Sequence, residues 1–197
     1  AGLHLRALGL AARLERQEVL GRCARMLSIR IAAGASDLEL FDFFTRFVGE
    51  TFATDMAAIY TLSEDGQWIH LQSIHDVRSE VVRTGREKNL FIGDHPEMRD
   101  MVTSGREIDV PDLMSSQLLD DWKLMSRETR IGAVLAVPLP SATGYTGLVV
   151  LGRERVGEVL SPEDRDLFLG LVQQAAPLLE NSRMVRELRH NLNGLAR

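Results

Sequence analysis

The sequence predicts an α+β fold: a central antiparallel sheet of five or six strands, helices on both sides, and a long helix at each end. Three observations carry that prediction. The first 33 residues and the chain after Ser161 place apolar side chains at three- and four-residue steps, the period of one helix face. Residues 131–139 and 145–152 are apolar runs of strand length, joined by the turn-rich Pro140-Ser141-Ala142-Thr143-Gly144. Shorter extended runs at 56–62, 68–74 and 106–110 supply the remaining strands.

The elements follow in order. Leu3, Ala7, Leu10, Leu14, Leu20, Ala24, Leu27 and Ile31 share one face of the first helix, with Arg13, Glu15, Arg16, Glu18, Arg22 and Arg25 on the others. Such a helix is about 45 Å long, more stripe than one small domain covers, so part of it is expected to face a second chain. Gly34-Ala35 ends it. Ser36-Asp37-Leu38-Glu39 is a capping box, in which Ser36 accepts the amide of Glu39 while Glu39 reaches back to the amide of Ser36. The helix it starts carries Leu38, Phe41, Phe44, Phe47, Val48 and Phe52 for the sheet. Glu64-Asp65-Gly66 is a hairpin turn between the first two strands. Phe91 and Ile92 are read as a short extended piece, and residues 76–90 as a polar loop. Asp94-His95-Pro96-Glu97 opens a short helix that Gly105 closes, and Pro111-Asp112 breaks the strand that follows.

Composition excludes several classes. A hydrophobic fraction of 45% over 197 residues is that of a folded domain. No apolar run approaches the roughly 20 residues that span a bilayer. His4 and Arg6 interrupt the first apolar stretch, which argues against a signal peptide, and the chain reads as a piece of a larger protein. The single cysteine, Cys23, rules out an internal disulfide and suits a reducing cytoplasm. A formal charge of −5 leaves no basic footprint for nucleic acid. The five histidines show no His-x-x-x-His spacing for a metal, and neither Gly-x-Ser-x-Gly nor the phosphate-binding Gly-x-x-x-x-Gly-Lys-Ser/Thr pattern occurs. No enzymatic activity is expected.

Ala136-Val137-Pro138-Leu139, a turn, and Gly147-Leu148-Val149-Val150-Leu151, followed by Ser161-Pro162-Glu163-Asp164 at a helix start, together resemble the back half of a GAF domain. GAF domains are small-molecule sensing and dimerising modules of signalling proteins. The resemblance covers residues 36–179, leaving a connector helix at 1–35 and another at 180–197 that leads to an output domain. It implies a pocket on the sheet face away from the dimer helices. That pocket is roofed by residues 76–90 and 113–130, with His70, Gln72, His75, Trp122 and Met125 as candidate ligand contacts. The ligand itself is left unknown, since relatives of this shape hold cyclic nucleotides, bilins, haem, other small molecules or nothing.

Individual ligand classes are narrowed by residues. Covalent bilin attachment needs a cysteine at the pocket, and Cys23 lies in the first helix. The Asn-Lys-x-Phe-x-Asp-Glu signature of the cyclic-nucleotide relatives is absent. The free methionine sulfoxide reductases of this fold use several cysteines, which this domain lacks. Haem would need an axial histidine, and only His70, His75 and His95 are placed for it.

In the last helix Leu171, Leu178, Val185 and Leu192 recur every seven residues, and Pro177 is expected to kink it. With Leu10, Leu14 and Leu27 of the first helix they form the expected homodimer seam. The stretch from Leu188 to Leu195 resembles the phosphoacceptor box of sensor histidine kinases, departing from it at Asn191, which follows His190.

Overall fold

The computed structural model describes the backbone of residues 2–76, 89–116, 130–142 and 144–195, and the side chains of residues 10–182 within those segments. Helix α1 spans Gly2–Ala32 and α2 spans Asp37–Phe52. Strands β1 (Met56–Leu62), β2 (Trp68–Asp76) and β3 (Asn89–Phe91) follow, then α3 (Pro96–Ser104) and β4 (Ile108–Val110). The hairpin of β5 (Ala133–Ser141) and β6 (Gly144–Arg153) precedes α4 (Pro162–Leu195).

Local chemistry sets these boundaries. Ser36 accepts the Glu39 amide on its hydroxyl (3.3 Å) while the Glu39 carboxylate accepts the Ser36 amide (2.6 Å), so two orphan donors at the start of α2 are satisfied. At the β1–β2 turn, Asp65 accepts the Ser63 hydroxyl (2.5 Å) and the Gln67 amide (3.0 Å). Those bonds, led by the one from Ser63, hold its exposed carboxyl below the ordinary range. Ser161 accepts the Asp164 amide (3.1 Å) at the start of α4. Gly105 ends α3 at φ +73°, and the Tyr145 ring lies where a side chain at 105 would have to go.

The six strands form one antiparallel sheet in the order β3-β2-β1-β6-β5-β4. Its two faces are covered differently. Ala57 and Ile59 of β1, Leu135 and Val137 of β5, and Val149 and Leu151 of β6 pack under α1, α2 and α4. Met56, Ala58 and Tyr60, Val134 and Ala136, and Leu148 and Val150 face the other way, toward α3. The alternation is the two-residue period of a pleated strand.

Arg16 of α1 donates to the Glu163 carbonyl (2.7 Å), and Leu20 packs on Gly170, so α1 and α4 run in the same direction. Leu27 and Leu171 are wholly covered by this chain's own side chains, Leu178 is half-buried against the same core, and Leu10 (60%) and Leu14 (58%) stand exposed. The expected seam therefore loses Leu27 and Leu171: the side of each helix that bears them is taken by the other helix, by α2 and by the sheet. The side chains of Val185 and Leu192 lie outside the described residues. Helix α4 continues through Pro177 without a break, with the proline on its exposed side.

Candidate functional site

The face of the sheet toward α3 is floored by β1, β5 and β6 and covered by Met98, Met101 and Val102 of α3 and by Leu113, all buried. Burial alone pushes the Tyr60 hydroxyl far above its ordinary pKa, which keeps the phenol neutral. Residues 77–88 and the segment 117–129 lie outside the described residues; Asp76 and Arg130, which border them, are at one end of the sheet, whereas Asn89 pairs with His70 further along β2. Asp76 pairs with Met56, Met56 with Gly152 and Gly152 with Val134, and Arg130 lies just ahead of β5. Trp122 and Met125, candidate contacts, fall in the second segment and lie outside the described residues.

The other three candidates are on the opposite face. In β2, Ile69 and Leu71 pack toward α3, so His70 between them points to the helical layer. A β-bulge interrupts the β1–β2 register between Ile59 and Tyr60. It leaves Gln72 without a cross-strand partner, and Gln72 donates instead to the Thr61 hydroxyl at 2.9 Å. Beyond the bulge Ser73 and His75 also face the helices, the His75 ring lying so near Gly49 that a Cβ there would sit 2.7 Å from its Cδ2. His70, Gln72 and His75 are therefore not pocket residues. Ordinary alternation puts His70 and Gln72 on the helical side, and the extra residue turns His75, which strict alternation would place on the α3 face, to the helical side as well. The same placement removes His70 and His75 as axial ligands; His95 is the N-cap of α3.

The polar groups on β2 are absorbed by α2. Ser73, buried, donates to Asp42 at 2.5 Å and lies 2.9 Å from the Thr45 hydroxyl, which also bonds back to the Phe41 carbonyl at 2.9 Å. This hydrogen-bonded chain ties helix to strand and satisfies groups that would otherwise be costly to bury. Asp42 gave no signal in the sequence, since an acid on an amphipathic helix is usually solvated.

Two other links hold α4 to the sheet. Arg165 in its first turn bridges Glu107 (2.8 Å) and Asp109 of the edge strand β4 (2.7 Å), and that pairing raises its own pKa. Arg153 at the end of β6 donates to the carbonyls of Val159 (2.5 Å), Ala53 (3.1 Å) and Phe52 (3.1 Å), so one guanidinium joins the end of α2 to the approach of α4. A groove of 560 Å³ lies between the α3–β4 corner, β5 and α4, and another of 420 Å³ lies between α1 and α2. Among the described residues no three His, Cys, Asp or Glu side chains come together to hold a metal, and no helix is long and apolar enough to cross a membrane.

Cys23 is buried where α1 meets the core. Burial pushes its thiol up from near 9 to about 12, against a smaller opposing pull from Arg22. Its contribution to stability is therefore complete below about pH 9 and is lost as pH rises toward 12. Native protein at pH 8 should react with an aromatic disulfide reagent at least about a hundredfold more slowly than unfolded protein. Labelling of the native thiol at the free-thiol rate would show that α1 is not seated as described.

Comparison with known proteins accounts for this sheet order, with its helical face, its α3 face and its two flanking helices. The GAF domain family model matches residues 38–179, and the chain belongs to that family. No curated protein matches the sequence. Among solved structures, the chain is similar to the phycoerythrobilin-bound GAF domain from a cyanobacterial phytochrome, with TM-score 0.68 and 14% identity over 85% of this chain and 97% of that one. It is similar to the GAF domain/HD domain protein from Geobacter sulfurreducens, with TM-score 0.66 and 21% identity over 79% and 99%. It is also similar to the GAF domain from Acinetobacter phosphoenolpyruvate-protein phosphotransferase, with TM-score 0.63 and 15% identity over 85% and 97%. At these identities the likeness speaks to the fold. The chain is thus a GAF domain with the architecture of sensory and regulatory modules.

Proposed function

We propose that this chain is a cytoplasmic regulatory sensor domain without catalytic activity. In this reading it dimerises through its terminal helices and passes occupancy of the α3 face to an output segment, such as a histidine kinase or cyclase, beyond α4. One observation carries the reading: neighbouring residues of the same strand serve the two layers alternately. Val134 and Ala136 of β5 touch the α3 side, while Leu135 and Val137 touch the helices. A displacement of the α3 side therefore reaches α4 through a close-packed sheet that has little room to absorb it. Exposed Leu10 and Leu14 on α1 support the dimer, because a leucine stripe left open to water at this spacing favours burial against a second chain.

A second reading, a ligand-free module that only dimerises and positions its output, is favoured by Met98 and Met101, which fill the described part of the α3 face. Native mass spectrometry of the chain purified from cells separates the two. The sensor reading expects twice 22.0 kDa plus the mass of a retained small molecule. Leu10→Asp with Leu14→Asp should give the monomer with that mass still bound, since two charges in the seam cost about a hundredfold or more in association. A dimer with no added mass selects the scaffold reading, and a monomeric unmodified chain overturns the seam.

A further inference from the structure

Three prolines strip backbone donors from the walls of the groove between the α3–β4 corner, β5 and α4. The direction of the β5 peptides follows from β6. Gly152 turns its carbonyl to β1, where it accepts the Asp55 amide at 3.0 Å, and Arg153 turns its own to the β5 side, where it accepts the Gly132 amide at 2.8 Å. Peptides alternate along a strand, so Val149 and Leu151 bond to Val137 and Leu135, and the even-numbered residues of β5 face β4. Val134 and Ala136 meet β4 there, but Pro138 and Pro140 have no N–H to offer, and β4 stops at Ile108. The carbonyls of both prolines are left on the open edge.

On the α4 wall, Pro177 cannot donate to the carbonyl four residues before it, so Gln173 lacks its helical bond. The fourth acceptor is a side chain. Glu107 spends Oε1 on Arg165 at 2.8 Å, while its Oε2 is buried and has no hydrogen-bond partner among the described residues, a costly state for a carboxylate oxygen. Glu107, Pro138, Pro140 and Gln173 all line the groove. Its floor is apolar, made by Val137, Leu169 and Val172, with the Tyr145 ring seated against Gly105 beside them.

We propose that this groove binds a small organic cation, a guanidinium or ammonium group on a short apolar stem. Acceptors that lack donors select a group that donates in several directions and needs no donor in return, and guanidinium and ammonium groups are of that kind. Charge agrees: the ion pairs around the groove set Asp100, Glu107 and Asp109 against Arg106 and Arg165, an excess of one carboxylate. Arg106, the cation in the lining, is held by Asp100 of α3. The stem lies on the apolar floor, and the Tyr145 ring offers its face to the charge. A volume of 560 Å³ falls within the roughly 300–1,000 Å³ of small-molecule sites. The missing N–H groups also exclude an added strand, whose carbonyls would find no donors on Pro138 or Pro140. The site lies at the sheet edge, apart from the exposed leucines of α1, and it stands whether or not the α3 face holds a ligand.

The test titrates the full isotope-labelled chain with butylguanidinium chloride and with butylurea, its neutral isostere, and follows amide signals by NMR. Butylguanidinium should shift the signals of Gly105, Arg106, Glu107, Tyr145 and Gln173 saturably, with affinity falling as salt rises and butylurea at least about tenfold weaker. That comparison needs no variant. Glu107→Gln should weaken butylguanidinium binding at least about tenfold, because it removes the charge inside the groove. Asp109→Asn removes an equal charge from the same ion pairs at a residue outside the lining, and it should cost no more than about threefold. Three results would each overturn the proposal: equal binding of the two probes, shifts that do not saturate or that fall only on other parts of the chain, or equal losses in the two variants. The last would mean that the cation feels only the net charge of the domain and not this groove.

Discussion

Phe168→Ala is expected to lower the stability of the domain by about 3–5 kcal/mol, the largest single effect foreseen in this fold. Phe168 is fully buried on α4 and meets Phe52 of α2 edge-on, with ring centroids 5.7 Å apart. Truncation removes the buried ring area and the aromatic pairing, and leaves a cavity where α2, α4 and the sheet meet. The surroundings cannot collapse into it, because Leu171, Val172 and Ala175 are already packed at full burial around the next turn. In urea the midpoint should fall with little change in slope, as expected when native stability is lost and the denatured state is unaltered. A loss under about 1 kcal/mol would mean that α4 is held mainly by polar links and not by its apolar side.

Arg153→Met should cost about 3 kcal/mol, for a different reason. The substitution keeps much of the aliphatic stem and deletes the guanidinium that satisfies three carbonyls: Phe52 and Ala53 at the end of α2, and Val159 ahead of α4. Bonds from a charged donor exceed neutral ones, and the abandoned carbonyls are left to whatever water reaches them. Arg153→Lys should recover only part of the loss, since an ammonium cannot span three acceptors in the guanidinium geometry. Hydrogen exchange should localise the effect, with faster exchange at the last turn of α2 and the first turns of α4 than in the centre of β1. Uniform acceleration over the whole sheet would contradict this role for Arg153.

Much of the architecture was legible because its signals are local. The capping box at Ser36, the turn at Asp65-Gly66, the Pro96 start and Gly105 end of α3, and the apolar hairpin runs all operate within a few residues, and they fall where the sequence places them. Strand ends were less well marked. Residues 89 and 90 read as loop but pair with His70 and Ile69 as β3, because a three-residue edge strand has too few side chains to show a period. Three of the five candidate contacts lie on the helical side: alternation alone does not say which side of β2 carries His70 and Gln72, and nothing in Trp68-Ile69-His70-Leu71-Gln72-Ser73 announces the bulge that turns His75.

Sequence alone determined the class of the domain, its elements and their order, since periodicity, caps and turns are properties of neighbouring residues. Tertiary structure decided which side of each amphipathic element was spent inside the chain. Leu27 and Leu171 share their stripes with Leu14 and Leu178, yet they are buried internally, because the parallel packing of α1 on α4 covers only part of each helix. It also decided the partners of Arg153 and Arg165. Arg153 reaches carbonyls about a hundred residues back, and Arg165 reaches a carboxylate 56 residues back, separations at which no pattern of neighbouring residues carries a signal.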